Sequence, residues 1–304
     1  MPLRRRGRHR RRSHRRRKRT RDWADGLPMD VLLSIFRRLD HADVLMSADR
    51  VCRSWRRAAV DEPSLWRRIT MRWHERFGAV DRFAMAAAAV RRSAGQCEAF
   101  CGDYFVNEGF LAYLGLQAPC LKILRLIHCD LITDGSLTAA IMAHPLLEEL
   151  ELSLCGNISD YFVCYARDEI SKLKHLRKNT HFVNCHESVR DVEAQDIATF
   201  MQDLRSLQLF GNVLTNEGLE AILDSCSKLE CLDMRHCFNI DMDSTLLSKC
   251  AGLKTLRLPD DPTDDYQLDI QIPVLIYESA DNLSVWSSDG WAYSDNNYSE
   301  DSDD

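Results

Sequence analysis

The sequence predicts an α/β protein: a small three-helix module, then a short right-handed solenoid on a parallel sheet, with a charged extension at each end. Three observations carry this. Apolar residues recur at helical spacing between residues 27 and 66. A leucine pattern then repeats every 24–31 residues from residue 97 to residue 259. Charge is segregated: residues 1–21 hold 13 Lys/Arg and no acid, and residues 260–304 hold 13 acids and no Lys/Arg. These ends cancel, so the net charge of −6 belongs to residues 22–259.

Composition narrows the class. Hydrophobic content of 45% is that of a globular chain. No apolar run approaches the ~18 residues of a membrane span, so no membrane partner is expected; residues 83–90 come nearest and are mostly alanine. The basic start runs into Trp23 rather than an apolar stretch, which argues against a secretory signal. Twelve cysteines without such a signal predict free thiols in a reducing compartment, the nucleus or the cytoplasm.

The run of residues 4–21 cannot bury apolar surface and reads as a disordered extension covering residues 1–21. Three roles stay open for it: a solvated extension, a nuclear import signal, and phosphate binding by counterion release. No aromatic residue is interleaved, so stacking on single-stranded bases is not supported.

Residues 22–70 read as helices. Leu27-Pro28 opens the first, because proline in a first turn costs no hydrogen bond. Val31, Leu32, Ile35, Phe36 and Leu39 then fall on one face. Asp40 is placed to cap a second helix through Val44 and Leu45. A third carries Val51, Cys52, Trp55 and Ala59, and Pro63 breaks it before Leu65-Trp66. So small a core gains stability by burying its remaining apolar face on a partner.

The ordered set LP-x(4)-LSIF-x(2)-L, V-C-R-x-W and D-E-P-S-L-W over these residues resembles an F-box. Met29 stands where that family often has an acid, with Asp30 directly after it. The resemblance implies binding to a Skp-type adaptor and, through it, a cullin of a ubiquitin ligase. It further implies that Leu27, Pro28, Val31, Leu32, Ile35, Val51 and Trp55 meet that adaptor, and that Trp66 builds the module's core.

Residues 71–96 form an Ala-rich joint, expected to be helical over residues 80–92, with Gly95 as its stop. The pattern L-x-x-L-x-L-x-x-(C/N) follows. Its copies are Leu121-Leu124-Leu126-Cys129, Leu147-Leu150-Leu152-Cys155, Leu204-Leu207-Leu209-Asn212 and Leu229-Leu232-Met234-Cys237. Leu253-Leu256-Leu258 is a shorter copy, Cys97 and Phe100 a weak first one, and Leu173-Leu176-Lys178 a degenerate one followed by His181-Phe-Val-Asn-Cys-His186. Period and signature are those of a leucine-rich repeat. Each L-x-L is a short strand, and helix returns start at Thr133 and Thr215. One repeat cannot bury its own apolar face, so copies stack. Cys226 and Cys250, recurring three residues before a strand leucine, resemble the cysteine-containing subtype.

The repeat places Cys129, Cys155, Cys226, Cys237 and Cys250 in the core. The alternative is metal, but no paired C-x-x-C spacing exists, and no cysteine has an assignable histidine for catalysis. No cofactor and no catalytic residue is expected.

Residues between the second and third leucines face out of the sheet: Arg125, Glu151, Arg177, Gln208, Asp233 and Arg257. Strands ~4.8 Å apart make Arg125–Glu151–Arg177 a cross-strand ladder and Asp233–Arg257 a second pair. Ion pairing alone explains them at ~0–1 kcal/mol each. A client-binding reading adds Ile127 and Phe210 as exposed apolar anchors, giving Arg125, Glu151, Arg177, Phe210 and Arg235 as client contacts.

In the tail, residues 269–277 are placed to form a closing strand, and the acidic remainder should be disordered. Trp286, Trp291, Tyr293 and Tyr298 offer a docking segment, and Ser299 and Ser302 phosphorylation sites. The resemblance to plant F-box/leucine-rich-repeat proteins implies a non-catalytic receptor holding an unidentified client protein. The alternative is a nucleic-acid-binding or non-degradative scaffold acting through the basic head or the repeat surface.

Overall fold

Pro28, with φ at −59°, sets the chain into helix α1 (Met29–Phe36), which buries Leu32 and Phe36, one turn apart. These details come from a computed structural model describing residues 26–72, 80–180 and 191–265. Asp40 stands at the cap position of α2 (His41–Met46), which buries Ala42 and Val44. A 3₁₀ turn at Ala48–Arg50 leads into α3 (Arg53–Asp61). Only small Ala58 and Ala59 of α3 are fully buried, so it packs closely against α1. Pro63 stops it and opens a 3₁₀ turn, Pro63–Trp66, where the Glu62 carboxylate accepts from Ser64 N. Trp66 is fully buried and its indole N–H donates to Ala59 O at 2.8 Å.

The chain then builds one parallel sheet in sequence order: β1 (Arg68–Met71), β2 (Ala99–Asp103), β3 (Ile123–Ile127), β4 (Glu149–Ser153), β5 (His175–Asn179), β6 (Ser206–Gln208), β7 (Cys231–Asp233) and β8 (Thr255–Arg257). Helical returns link the strands: α4 (Arg82–Arg92), α5 (Glu108–Gln117), α6 (Asp134–Ala143), α7 (Phe162–Tyr165), α8 (Arg167–Ile170), α9 (Val192–Phe200), α10 (Asn216–Ser225) and α11 (Ser244–Cys250). The register aligns the repeat leucines: Leu124, Leu150, Leu176, Leu207, Leu232 and Leu256 are successive partners.

Two sequence expectations change. Repeats were expected from residue 97 and the helical module to end at residue 70. Instead β1 already pairs with β2, Ile69 opposite Phe100. Trp66, Ile69 and Met71 occupy the L-x-x-L-x-L positions with other side chains and are buried as the leucines are. In consequence one apolar core runs unbroken from Leu32 to Cys250. The joint tightens it: Arg92 on α4 pairs with Asp49 at 3.0 Å and lies 5.3 Å over the Trp66 ring.

Successive repeats are also clipped together by polar side chains at the helix starts. Thr133 caps α6 in a capping box with Ser136 and donates to Glu108 at 2.7 Å. Asp134 accepts from Ser159 N, and Asp191 from Thr215 N and Oγ1 at 2.8 and 2.7 Å. Asn216 exchanges two bonds with Asp241. Local caps serve other helix starts, as where Asn107 accepts from Phe110 N and Asp243 from Leu246 N.

At the strand ends Tyr104, His128, Leu154 and His236 have φ of 51–61°, with Gly211 at 70° in the same place. Their N–H groups donate to Ile127, Ser153, Asn179, Pro259 and Arg235 carbonyls, in the order of Tyr104, His128, Leu154, His236 and Gly211. This rung offsets a left-handed cost of about 1–2 kcal/mol per non-glycine residue.

The degenerate third copy is a buried cluster. Lys178, 3% exposed in a leucine position, pairs with Glu193 at 2.7 Å and Asp160 at 3.0 Å. The cysteines follow the repeat: Cys129, Cys226, Cys237 and Cys250 are buried and Cys155 is half-buried. The segment 181–186, residues 269–277, the tail aromatics with Ser299 and Ser302, and residues 4–21 lie outside the described residues.

Candidate protein-interaction surfaces

The helical module leaves large apolar side chains in solvent. Met29 and Val31 on α1, Leu39 just after it, and Val51 before α3 are all exposed, and Leu27, Ile35 and Trp55 are half-buried. Burying one such side chain fully is worth about 1.5–3 kcal/mol, so several on so small a module make it a candidate docking surface. Pro28 is exposed beside them. Leu32 is a correction: about 100° round α1 from Val31, it is 1% exposed and belongs to the core. Trp55 meets Phe36 edge to face at 5.3 Å and so joins α3 to α1. Its buried indole N–H finds no acceptor among the described residues.

On the open face of the sheet the expected ladder is present. Arg125, Glu151 and Arg177 are successive register partners. Arg125 donates to Glu149 Oε1 at 2.7 and 3.0 Å and lies 3.6 Å from Glu151. Arg177 reaches Glu151 Oε2 at 3.3 Å. The other Glu151 oxygen accepts from Ser153 Oγ at 3.0 Å, and Asn179 Nδ2 donates to that same hydroxyl at 2.8 Å. Glu151 is therefore the buried hub of a polar network, and Arg125 and Arg177 remain half-exposed at its edge.

The second expected pair does not form. Asp233 and Arg257 are neighbours in register, but Asp233 pairs with Arg235 at 2.7 Å and Arg257 with Asp265 at 3.1 Å. Arg235, 4% exposed, also donates to Pro262 O and Asp265, so it is a clamp on the last turn rather than a free contact.

Phe210 and Ile127 are corrected as well. Neither is exposed; Phe210 is 1% accessible, its ring 4.5 Å from His236 and 6.0 Å beneath the Arg235 guanidinium. The alternation that points strand residues outward ends where the chain enters the left-handed turn at Gly211. Burial and the Arg235 charge hold the His236 imidazole below its ordinary pKa.

Exposed apolar side chains of the solenoid lie instead on the helical returns, such as Leu116, Met142 and Tyr165, and in the loops after the strands. Tyr104 stacks on His128 at 4.7 Å, with planes 5° apart, and Leu131, Tyr161 and Phe238 are exposed. Sequence reasoning missed these because it followed the leucines. The residue before each repeat Cys or Asn marks the left-handed turn, at His128, Leu154, Gly211 and His236, and the exposed side chains follow it without a pattern of their own.

Comparison with known proteins follows the same division. Residues 24–72 match the F-box-like family and residues 200–223 the Leucine Rich repeat family. The F-box protein SKIP19 of Arabidopsis thaliana is 37% identical over 253 residues, covering 81% of this chain and 80% of its own length. The F-box/LRR-repeat protein 22 of the same plant is 38% identical over 289 residues, covering 93% and 88%. Among solved structures, the yeast Rad7 and Elc1 complex overlaps 70% of this chain and 55% of its own at 15% identity. Its TM-score of 0.42 is too loose for any functional argument.

Proposed function

Because the chain belongs to the plant F-box/leucine-rich-repeat proteins, we propose that it is the substrate-recognition subunit of a Skp–cullin–F-box ubiquitin ligase. The observation that carries this is the apolar surface of Met29, Val31 and Val51 on a module of matching sequence. That surface takes the Skp-type adaptor, and the solenoid takes a client protein for ubiquitination. The chain performs no chemistry itself. Its contribution is proximity: a tethered client meets transferred ubiquitin at raised effective concentration. The unbroken core from Leu32 to Cys250 supports this role, since a rigid joint keeps client and adaptor at a set spacing. Arg125 and Arg177, with the loop residues Tyr104 and Tyr161, are the client contacts of this reading, which acts in nucleus or cytoplasm.

Affinity purification of the wild type beside a Leu27→Ala/Pro28→Ala variant tests it. The wild type should bring down adaptor and cullin, and the variant should lose both while retaining clients. Retention of the adaptor by the variant would sink the interface assignment. Client half-life, measured with and without the protein, separates degradation from scaffolding: an unchanged half-life would favour the scaffold.

A further inference from the structure

Beside the apolar face of the F-box lies an open cavity of about 520 Å³, lined by Leu45, Asp49, Arg50, Cys52, Arg53 and Arg56. Its charge is one-sided. Asp49 is already held by Arg92 at 3.0 Å, with both side chains largely buried. Arg50, Arg53 and Arg56 are exposed, and among the described residues none has a carboxylate within ion-pair distance. Elsewhere pairing is common: Arg125, Arg177, Lys178, Arg235 and Lys249 all have acidic partners. The imbalance is regional. Residues 22–96 hold 13 Lys/Arg and 10 acids, whereas residues 97–259 hold 14 and 23.

The placement of these cations runs against local electrostatics. Arg53 and Arg56 lie in the first turns of α3, whose N-terminus has no acid and no side-chain cap. A cation there meets the positive end of the helix dipole, an unfavourable contact. Three guanidiniums converging on one cavity under that handicap suit an anionic occupant better than solvent.

Position identifies the occupant. Val51, exposed and assigned above to the adaptor, sits between Arg50 and Cys52, so a partner that covers Val51 reaches the cavity mouth. We propose that this cavity takes carboxylates from an acidic segment of the Skp-type adaptor, a charged second anchor beside the apolar one. The inference rests on the adaptor reading. Apolar contact supplies most of the affinity, and the arginines supply steering and orientation.

The test is binding of the full chain to purified adaptor at about 50 and about 500 mM salt, where screening differs several-fold in length. Wild type should weaken with salt. Arg53→Glu/Arg56→Glu should bind roughly tenfold more weakly at low salt and lose most of the salt dependence. Val31→Asp should abolish binding at both salts. If the arginine variant matches wild type at both salts while Val31→Asp fails to bind, the cavity assignment is overturned and the adaptor reading stands. If wild type does not bind, or Val31→Asp binds normally, the adaptor reading itself falls, and this inference with it. Should the charge reversal unfold the protein by circular dichroism, Arg53→Gln/Arg56→Gln replaces it, with loss of the salt dependence as the deciding result.

Discussion

Replacing Lys178 by methionine would keep the volume of a side chain in a leucine position and remove its charge. The ammonium it carries is 2.7 Å from Glu193, 3.0 Å from Asp160 and 3.1 Å from Ser159 O, and lies 5.6 Å over the Phe162 ring. Burial opposes that charge, but Glu193 and Asp160 outweigh it and hold the lysine above its ordinary pKa. Glu193 is itself buried, and burial pushes its carboxyl upward against the pull of Lys178 and Asn212. Without Lys178 the Glu193 carboxylate loses its buried cation and keeps only the Asn212 bond at 2.8 Å. Breaking a buried pair from one side costs about 3–5 kcal/mol. The loss should depend on pH. The folded-state pKa of Glu193 rises further above its unfolded value of about 4.3, so the folded variant binds the extra proton. Its stability is highest below the unfolded value and is lost as pH rises through the folded one. Urea unfolding of wild type and variant at about pH 5.5 and about pH 8.5 reads this directly. The deficit should be larger at the higher pH. Lys178→Met/Glu193→Gln, which leaves Asn212 an acceptor, should recover to within about 1 kcal/mol of wild type or exceed it. A single-variant deficit under about 1 kcal/mol at high pH, or one that does not change with pH, would refute the reasoning.

Three further outcomes are expected. Gly218→Ala should destabilise by about 1–3 kcal/mol in urea titration, although alanine is the better helix former. A Cβ there would enter Asp191 Oδ1, which Thr215 holds, and sit 2.9 Å from the Ala194 methyl; a stabilised variant would contradict this close approach of α10 to α9. Trp66→Phe leaves the Ala59 carbonyl without its 2.8 Å donor and should cost about 1–3 kcal/mol by the same measurement; a cost near zero would show that water replaces the indole. Thiol labelling at about pH 8 should modify exposed Cys120 first. Cys97 and Cys237, pushed up to about 12 by burial, and Cys226, pushed up to about 11, should react only once denaturant is added; labelling of all four at one rate would overturn the buried assignments.

Much of the solenoid was legible because each repeat presents the same environment to the same position. Leu124, Leu150, Leu176, Leu207 and Leu232 recur at the period and do align in register. The helix starts after Thr133 and Thr215 were readable from the sequence; Thr133 caps α6 with its side chain, whereas the Thr215 hydroxyl donates to Asp191 instead. A further periodic signal went unread: Arg67, Glu98, Lys122, Glu148, Lys174, Arg205, Glu230 and Lys254 hold one position before successive strands, and their signs nearly alternate. Lys174 and Lys254 pair there with Glu148 and Glu230 at 2.6 and 2.7 Å. The first rung was missed for a chemical reason. Trp66-x-x-Ile69-x-Met71 has the repeat spacing and none of its leucines, so it read as the end of the helical module.

By itself, then, the sequence determined the period, the parallel sheet and the division of charge, which follow from spacing and composition and depend only on neighbours along the chain; the F-box was legible through its resemblance to a known family. Tertiary structure decided which side chains are available at the surface. Phe210 is buried because Arg235 and His236 arrive from the next repeat, and Lys178 is a paired charge because Glu193 returns from 15 residues further on. Arg50, Arg53 and Arg56 form a cavity wall only where the 3₁₀ turn meets α3. Burial of one side chain is settled by atoms distant in sequence, and no local pattern records which of them will arrive.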